Sequence, residues 1–193
     1  MMPSLRRFAP ALLISASAAT PFMAQAAETV FSRVLPASTV DFSATQMGVP
    51  IHGHFKTLAA VVDFQAADLA QCHVTVAISA ASVDAGSSQT NDLLTGGDWL
   101  DAKAYPQDRF VSTSFTPAGP GKYWVAGNFS VKGKSQPLRV LVTTHMAGAN
   151  LVMDADFPLN RTAFGLGTGS CADTSVVAAT LPIHVQLLVA PHA

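Results

Sequence analysis

Apolar and polar residues alternate with a period of two through one segment after another, and this constrains the fold more than any other feature of the chain. "STVDFSAT" places Val40, Phe42 and Ala44 on one face and Asp41 and Ser43 on the other. "CHVTVAISAASVD" does the same with Val74, Val76 and Ile78, and "KYWVAGNFSVKG" with Tyr123, Val125, Gly127, Phe129 and Val131. "VPIHGHFKTLAAVVDF", a bent strand and a second strand with the bend at Gly53, "RFVSTSF", "QPLRVLVTTHM", "ANLVMDADFPLN" and "TSVVAATLPIHVQLLV" extend the pattern. Glycine-bearing turns separate the later runs, at Gly119-Pro120-Gly121, Lys132-Gly133-Lys134 and Gly148-Ala149-Asn150. Alternation bounded by turn residues is the signature of antiparallel strands with one face buried. About eight such runs predict an all-β fold, a barrel or a sandwich, and closure into a barrel removes exposed edges. No segment repeats at a fixed period, which excludes propellers and solenoids.

One region breaks the alternation. "SSQTNDLLTGGDWLDAKAYP" is compatible with a helix capped at Ser87 or Ser88 and stopped at Gly96-Gly97, with a further helical turn through "DWLDAKAY". It sets Trp99, Leu100 and Tyr105 among Gly, Asp, Lys and Pro, just before Phe110. Aromatics on a connection either close a core or form the mouth of an apolar cavity. An eight-stranded barrel is wide enough to be filled by side chains or to hold one small ligand. Ala44, Ala60, Ala77, Ala80, Ala126, Ala155, Ala178 and Ala179 leave room, which favours the cavity.

The N-terminus reads as a secretory signal peptide over residues 1–26. Arg6 and Arg7 precede an apolar stretch, and Ala24-Gln25-Ala26 offers small residues for cleavage. A single domain over 27–193 is then expected, located in a bacterial periplasm. In an oxidising compartment two cysteines pair more often than not, which predicts a Cys72–Cys171 disulfide; two separate buried thiols are the alternative. A net charge of −1, with only 12% charged residues and no basic stripe, excludes a nucleic-acid partner.

Several segments, in order, resemble the YceI-like family. "STVDFSATQMGVPIHGHF" is similar to its first hairpin, with Gly53-His54-Phe55 as the Gly-x-Phe element. "SVDAGSSQTNDLLTGGDWLDAKAYPQDRFVSTSF" resembles the central signature from Ser-Val-Asp to a Phe-x-Ser strand. "VAGNFSVKGKSQPLRV" matches a strand–Lys-Gly–strand hairpin, and "FPLNRTAFGLGTG" an Asn-Arg-x-x-Phe-Gly segment. The chain departs from the pattern at Ala85, at Asn91-Asp92 and at Leu100.

The resemblance implies an extended eight-stranded antiparallel lipocalin-like barrel, with a short helical insertion near residues 87–105. It implies an exported lipid-binding protein whose interior holds a long isoprenoid, of polyprenyl or quinone type, for transport or storage. Phe42, Phe55, Val76, Ile78, Trp99, Leu100, Phe110, Phe129, Leu141 and Phe164 are expected to line or cap the cavity. Asp84, Asn160 and Arg161 are expected to be polar mouth residues or structural ones. A buried arginine in so uncharged a barrel needs a carboxylate or carbonyl partner, with Asp154, Asp156 and Asp84 as candidate carboxylates. Transient membrane contact and a homodimer are further expectations. The alternative reading is a filled barrel acting as an interaction module or an accessory subunit of a membrane redox or stress-response system.

Enzymatic readings find little footing. There is no Gly-x-Ser-x-Gly elbow, no Cys-x-x-Cys pair, and no glycine loop between a strand and a helix. His52 and His54 share a strand face, but no carboxylate stands at supporting spacing, so neither a metal nor a cofactor is expected.

Overall fold

A computed structural model describes residues 29–192. The signal-peptide expectation for 1–26 therefore lies outside the described residues. The strands are β1 (Phe31–Val34), β2 (Thr39–Gln46), β3 (Val49–Phe55), β4 (Leu58–Asp63), β5 (His73–Ser79), β6 (Val83–Asp84), β7 (Gln107–Gly119), β8 (Lys122–Val131), β9 (Lys134–Ala147), β10 (Asn150–Asn160) and β11 (Thr180–Pro191). One helix, α1 (Ser88–Thr95), lies between β6 and β7. All the strands belong to one antiparallel sheet, in the order β4-β5-β7-β8-β9-β10-β11-β2-β3-β6, with β1 added to β11.

The sheet curls on itself, and two devices bring its edges together. β3 pairs with β2, whereas β4, its direct continuation past Lys56-Thr57, pairs with β5. One bent strand thus belongs to both ends of the sheet. β1 hydrogen-bonds to β11 on one side, and on the other Phe31 and Phe64 exchange N–H···O bonds of 3.0 Å. The bend falls at Lys56-Thr57, not at the expected Gly53, which sits mid-strand opposite Phe42. Eleven strands replace the expected eight. The bent strand and its second strand appear as β3 and β4, and the short β1 and β6 had no alternation long enough to announce them.

α1 forms where a cap and a stop were legible. The Ser87 side chain accepts from Thr90 N–H, and the Gly96 N–H closes on Leu93 O. The segment after it is a set of turns, not a second helix, held by Leu100 N–H to Leu94 O and Tyr105 N–H to Asp101 O. The last strand begins only at Thr180, so Ser175–Ala179 belongs to a loop and not to the strand pattern it resembles.

Apolar packing divides along the barrel axis. At one end Phe31, Val62, Phe64, Leu151 and Val189 form a closed core, against which Phe115 and Val125 pack. At the other, beneath α1, lie Val83, Trp99, Leu100, Val131, Phe164, Leu166, Val177 and Leu181. Cys72 packs against the first cluster and Cys171 within the second, and both are free thiols. The expected disulfide is therefore absent, since a bridge needs Cα atoms within about 7 Å. Cys72 instead exchanges hydrogen bonds with the Gln65 backbone, and burial pushes its thiol above the ordinary value.

Candidate functional site

A cavity of about 190 Å³ runs inside the barrel, lined from every strand except β1 and β4. Alternation determines which residues reach it. Val74, Val76 and Ile78 face it from β5, Leu138, Val140 and Val142 from β9, and Leu181, Ile183, Val185 and Leu187 from β11. From Leu181 to Leu187 the lining extends roughly 20 Å at about 3.4 Å per residue. The same volume spread over that length makes a narrow channel. Two aromatics keep it open by lying over glycines. A Cβ on Gly53 would collide with the Phe42 ring, and one on Gly127 with the Phe110 ring at 2.6 Å. With hydrogen in place of a side chain, each ring folds against the wall instead of projecting across the channel.

The end beneath α1 is built from loops held by two cations. Arg161 is fully buried, and its five N–H groups all meet backbone carbonyls. Nε donates to Ala178 O at 3.0 Å, Nη1 to Leu166 O and Gly167 O at 2.8 and 3.0 Å, and Nη2 to Cys171 O and Val177 O at 2.8 and 2.7 Å. Its guanidinium carbon also lies 5.7 Å from the centre of the Trp99 ring. None of the expected carboxylates takes part: Asp154 and Asp156 pair with Gln186 and His184 on the outer face. Lys132 Nζ ties two further loops, donating to Gly97 O at 2.6 Å and Gly165 O at 3.1 Å. Asp98 O receives the N–H groups of Gly167 and Thr168.

Two buried side chains with polar groups, Asp108 and Trp99, stand on the cavity wall at this end. Asp108, 1% exposed, accepts from Lys132 N–H at 3.2 Å, and burial pushes its carboxyl up to about 6. Trp99 is also buried on the wall, and its Nε1–H is a buried donor with no acceptor in the protein. The cavity reaches the surface beside α1, where the exposed Leu93 and Gln46 stand on its rim with Thr90 and Leu94.

The structure places Phe42, Phe55, Val76, Ile78, Trp99, Leu100, Phe110 and Phe129 on the wall. Leu141 is not there. It is half-buried on the outer face opposite Trp124, because its neighbours Val140 and Val142 take the inward positions. Phe164 is buried one layer behind the wall, its ring 5.6 Å from that of Phe129. Tyr105 covers the turn at Gly133 and is 39% exposed.

Asp84, Asn160 and Arg161 are each engaged by the protein's own groups. Lys56 Nζ lies 2.7 Å from the Asp84 carboxylate and, with Gly86 N–H and the Asn91 amide, holds it well below the usual range. Asn160 is exposed and caps the turn Arg161–Phe164 through Thr162 N–H. Asp108 was not foreseen, although it stands two residues before Phe110 on the same face. Among the described residues no group of three or more His, Cys, Asp or Glu could hold a metal ion; His52 and His54 are exposed.

Comparison with known proteins bears on this architecture directly. The model of the YceI-like domain matches residues 34–189. The chain belongs to the YceI-like family. A UPF0312 protein of Shewanella denitrificans is 30% identical over 139 residues, 72% of each chain. The crystal structure of Burkholderia cenocepacia BcnA superposes on this YceI-like domain with a TM-score of 0.76 at 42% identity, covering 78% of this chain and 95% of that one. A polyisoprenoid binding domain from Saccharophagus degradans, implicated in plant cell wall breakdown, superposes with a TM-score of 0.66 over 86% of this chain and 99% of that one. At 13% identity that last likeness concerns the fold alone.

Proposed function

We propose that this YceI-like barrel is a non-enzymatic lipid-binding protein, holding one long isoprenoid-type chain in its channel for carriage or storage outside the cytoplasm. The observation that carries the reading is the continuous apolar lining, from Gln46 and Leu93 at the rim to Phe115 and Leu187 deep inside. A narrow channel of this length suits a single extended hydrocarbon chain better than a fused-ring ligand. The binding domain of Saccharophagus degradans, of the same fold, lends the isoprenoid class its support.

The mechanism is partition. Burying several hundred Å² of hydrocarbon gains on the order of 10 kcal/mol relative to water, at about 25 cal/mol per Å². A bilayer offers nearly the same gain, so transfer between barrel and membrane is close to balanced, which suits a shuttle. Leu93, Met47 and Val49, exposed by 48%, 77% and 62% at the α1 end, give the rim an apolar character suited to brief membrane contact. A filled barrel serving as an accessory subunit would have no use for such a channel.

The direct test is organic extraction of the protein purified from the cells that make it, followed by mass spectrometry. A stoichiometric polyprenyl or quinone species is expected. An empty extract, together with no uptake of polyprenyl lipid offered in vitro, would overturn the proposal.

A further inference from the structure

The lining contains few polar atoms, and two of its buried polar side chains at the α1 end, Asp108 and Trp99, are left incompletely paired. Asp108 brings two carboxylate oxygens, able to accept about four hydrogen bonds, to the wall of an apolar channel. It receives one hydrogen bond, from Lys132 N–H. The indole N–H of Trp99 is the one buried side-chain nitrogen or oxygen among the described residues that has no partner. Buried polar groups are rarely left unpaired in native structures, and those that are call for an explanation.

The two groups belong to the same end of the channel. Lys132, whose N–H meets Asp108, sends its ammonium to Gly97 O, two residues before Trp99. Val131, beside Lys132, packs in the same cluster as Trp99. Both groups lie under α1, at the end where the channel opens, while apolar side chains alone line the opposite end. A ligand that lays its hydrocarbon tail toward Phe115 and Leu187 would leave its head group here.

The pairing requirements are complementary. Trp99 N–H needs an acceptor and Asp108, when ionised, needs a donor. A hydroxyl group is both. A phosphate or carboxylate head could accept from Trp99 but would place a second negative charge beside a buried carboxylate, in surroundings where like charges repel strongly. An ether oxygen accepts without donating and would leave Asp108 as it is.

We propose that Asp108 and Trp99 form the head-group site of the channel and select neutral, hydroxyl-bearing isoprenoids, alcohols or quinols, over anionic isoprenoid phosphates. This rests on the reading above that an apolar chain occupies the channel. Asp108 supplies the selectivity and Trp99 the orientation. The upward shift of the carboxyl agrees with a site that tolerates no further negative charge.

The test compares three probes that share one chain: geranylgeraniol, its methyl ether and geranylgeranyl phosphate. Binding is followed calorimetrically with the full chain, its Asp108→Asn and Trp99→Phe variants, and circular dichroism of each. The full chain should bind the alcohol about tenfold or more tighter than the phosphate, and several-fold tighter than the ether, as expected where a buried polar site loses its partner. Asp108→Asn should shrink the alcohol-to-phosphate ratio by about tenfold, because the repelling charge is gone. Trp99→Phe should weaken the alcohol and the ether together and leave the ratio set by Asp108 in place. Equal binding of all three probes by the full chain overturns the head-group site while leaving the lipid channel standing. No binding of any probe overturns the channel reading itself. Should Asp108→Asn fold poorly, the alcohol-to-ether ratio of the full chain and the Trp99→Phe titration decide the matter.

Discussion

At the end of the barrel where β1 packs, the rings of Phe31, Phe64, Phe115 and Tyr123 gather; at the α1 end, loops are tied by cations to backbone carbonyls. The first end is stabilised by contact area: Phe64 packs at 5.2 Å from Tyr123 and 6.4 Å from Phe115, ring centre to ring centre. The second is stabilised by hydrogen bonds that only a few residues supply, Arg161 above all. Close packing of Phe31, Val62, Phe64, Leu151 and Val189 closes the channel behind Phe115 and Leu187. A loop end held by directional bonds can keep a shaped opening, at the cost of depending on single side chains. The difference separates an end that closes the apolar channel from an end that opens it and carries its polar groups.

The largest effect expected from that contrast is at Arg161. Arg161→Ala removes all five N–H donors and leaves the carbonyls of Leu166, Gly167, Cys171, Val177 and Ala178 without this partner. Breaking such a buried cluster by deleting one side of it costs about 3–5 kcal/mol. Urea unfolding should show this loss, and proteolysis should cut first within residues 161–179. Arg161→Lys should recover little, since an ammonium has three donors and no fork. An Arg161→Ala variant as stable as the parent would break the comparison.

Next comes the pH dependence of Asp108. Its folded value of about 6 lies above the ordinary 3.8, so the folded barrel favours the protonated form. Below the ordinary value the carboxyl is protonated in both states and its full contribution is present. As pH rises toward 6 the unfolded chain releases the proton more readily, and stability falls by about 3 kcal/mol in all. The charged neighbour is Lys132, whose ammonium is engaged by Gly97 and Gly165 carbonyls. Asp84, held low by Lys56, acts in the opposite direction and at lower pH, and it cancels in a difference between variants. Subtracting the curve of Asp108→Asn from that of the parent should therefore isolate a loss between pH 4 and 6. A flat difference would show that Asp108 is solvated after all.

A smaller effect is expected at Gly127, midway between the two ends. An alanine there would bring its methyl against the Phe110 ring and the Val111 carbonyl. Overpacking of this kind costs about 1–2 kcal/mol. The displaced ring can move only into the channel, so lipid capacity should fall further than stability does. Thermal melts and uptake of a polyprenyl probe, read side by side, separate the two. Equal melting with undiminished uptake would show that the ring has another place to go.

Much of the wall was legible because burial on one face forces a period of two. Val40, Phe42 and Ala44, or Val125, Phe129 and Val131, could be assigned from the alternation alone. The α1 end was less legible for a physical reason. Arg161 needs acceptors, but sequence cannot tell a carboxylate from a carbonyl that a loop happens to present, and here all the acceptors are carbonyls. Cys72 and Cys171 illustrate the same limit, since pairing depends on separation in space. Asp108 is the opposite case. Stepping back by two from Phe110 puts it on the inner face, and only the rarity of a carboxylate in an apolar channel argued against reading it there. β7 also carries a register shift between Ser112 and Ser114, so Phe110 and Phe115, an odd number of residues apart, both face inward.

The smallest effect tests the inner face against the outer one. Leu141 and Val140 are adjacent on β9, yet Val140 lines the channel and Leu141 lies outside, opposite Trp124. Arg139, also outside, stacks 4.2 Å above the Trp124 ring, so the outer face has its own small cluster that does not communicate with the cavity. Leu141→Ser should cost no more than about 1 kcal/mol, as half-exposed surface changes do, and should leave lipid uptake unchanged. Val140→Ser places a hydroxyl in the channel wall and should lower uptake clearly. Two neighbouring substitutions of the same kind then give opposite readings, which is what a period-two wall requires. If Leu141→Ser were the one that lowered uptake, β9 would be in the other register and the channel lining along it would have to be redrawn.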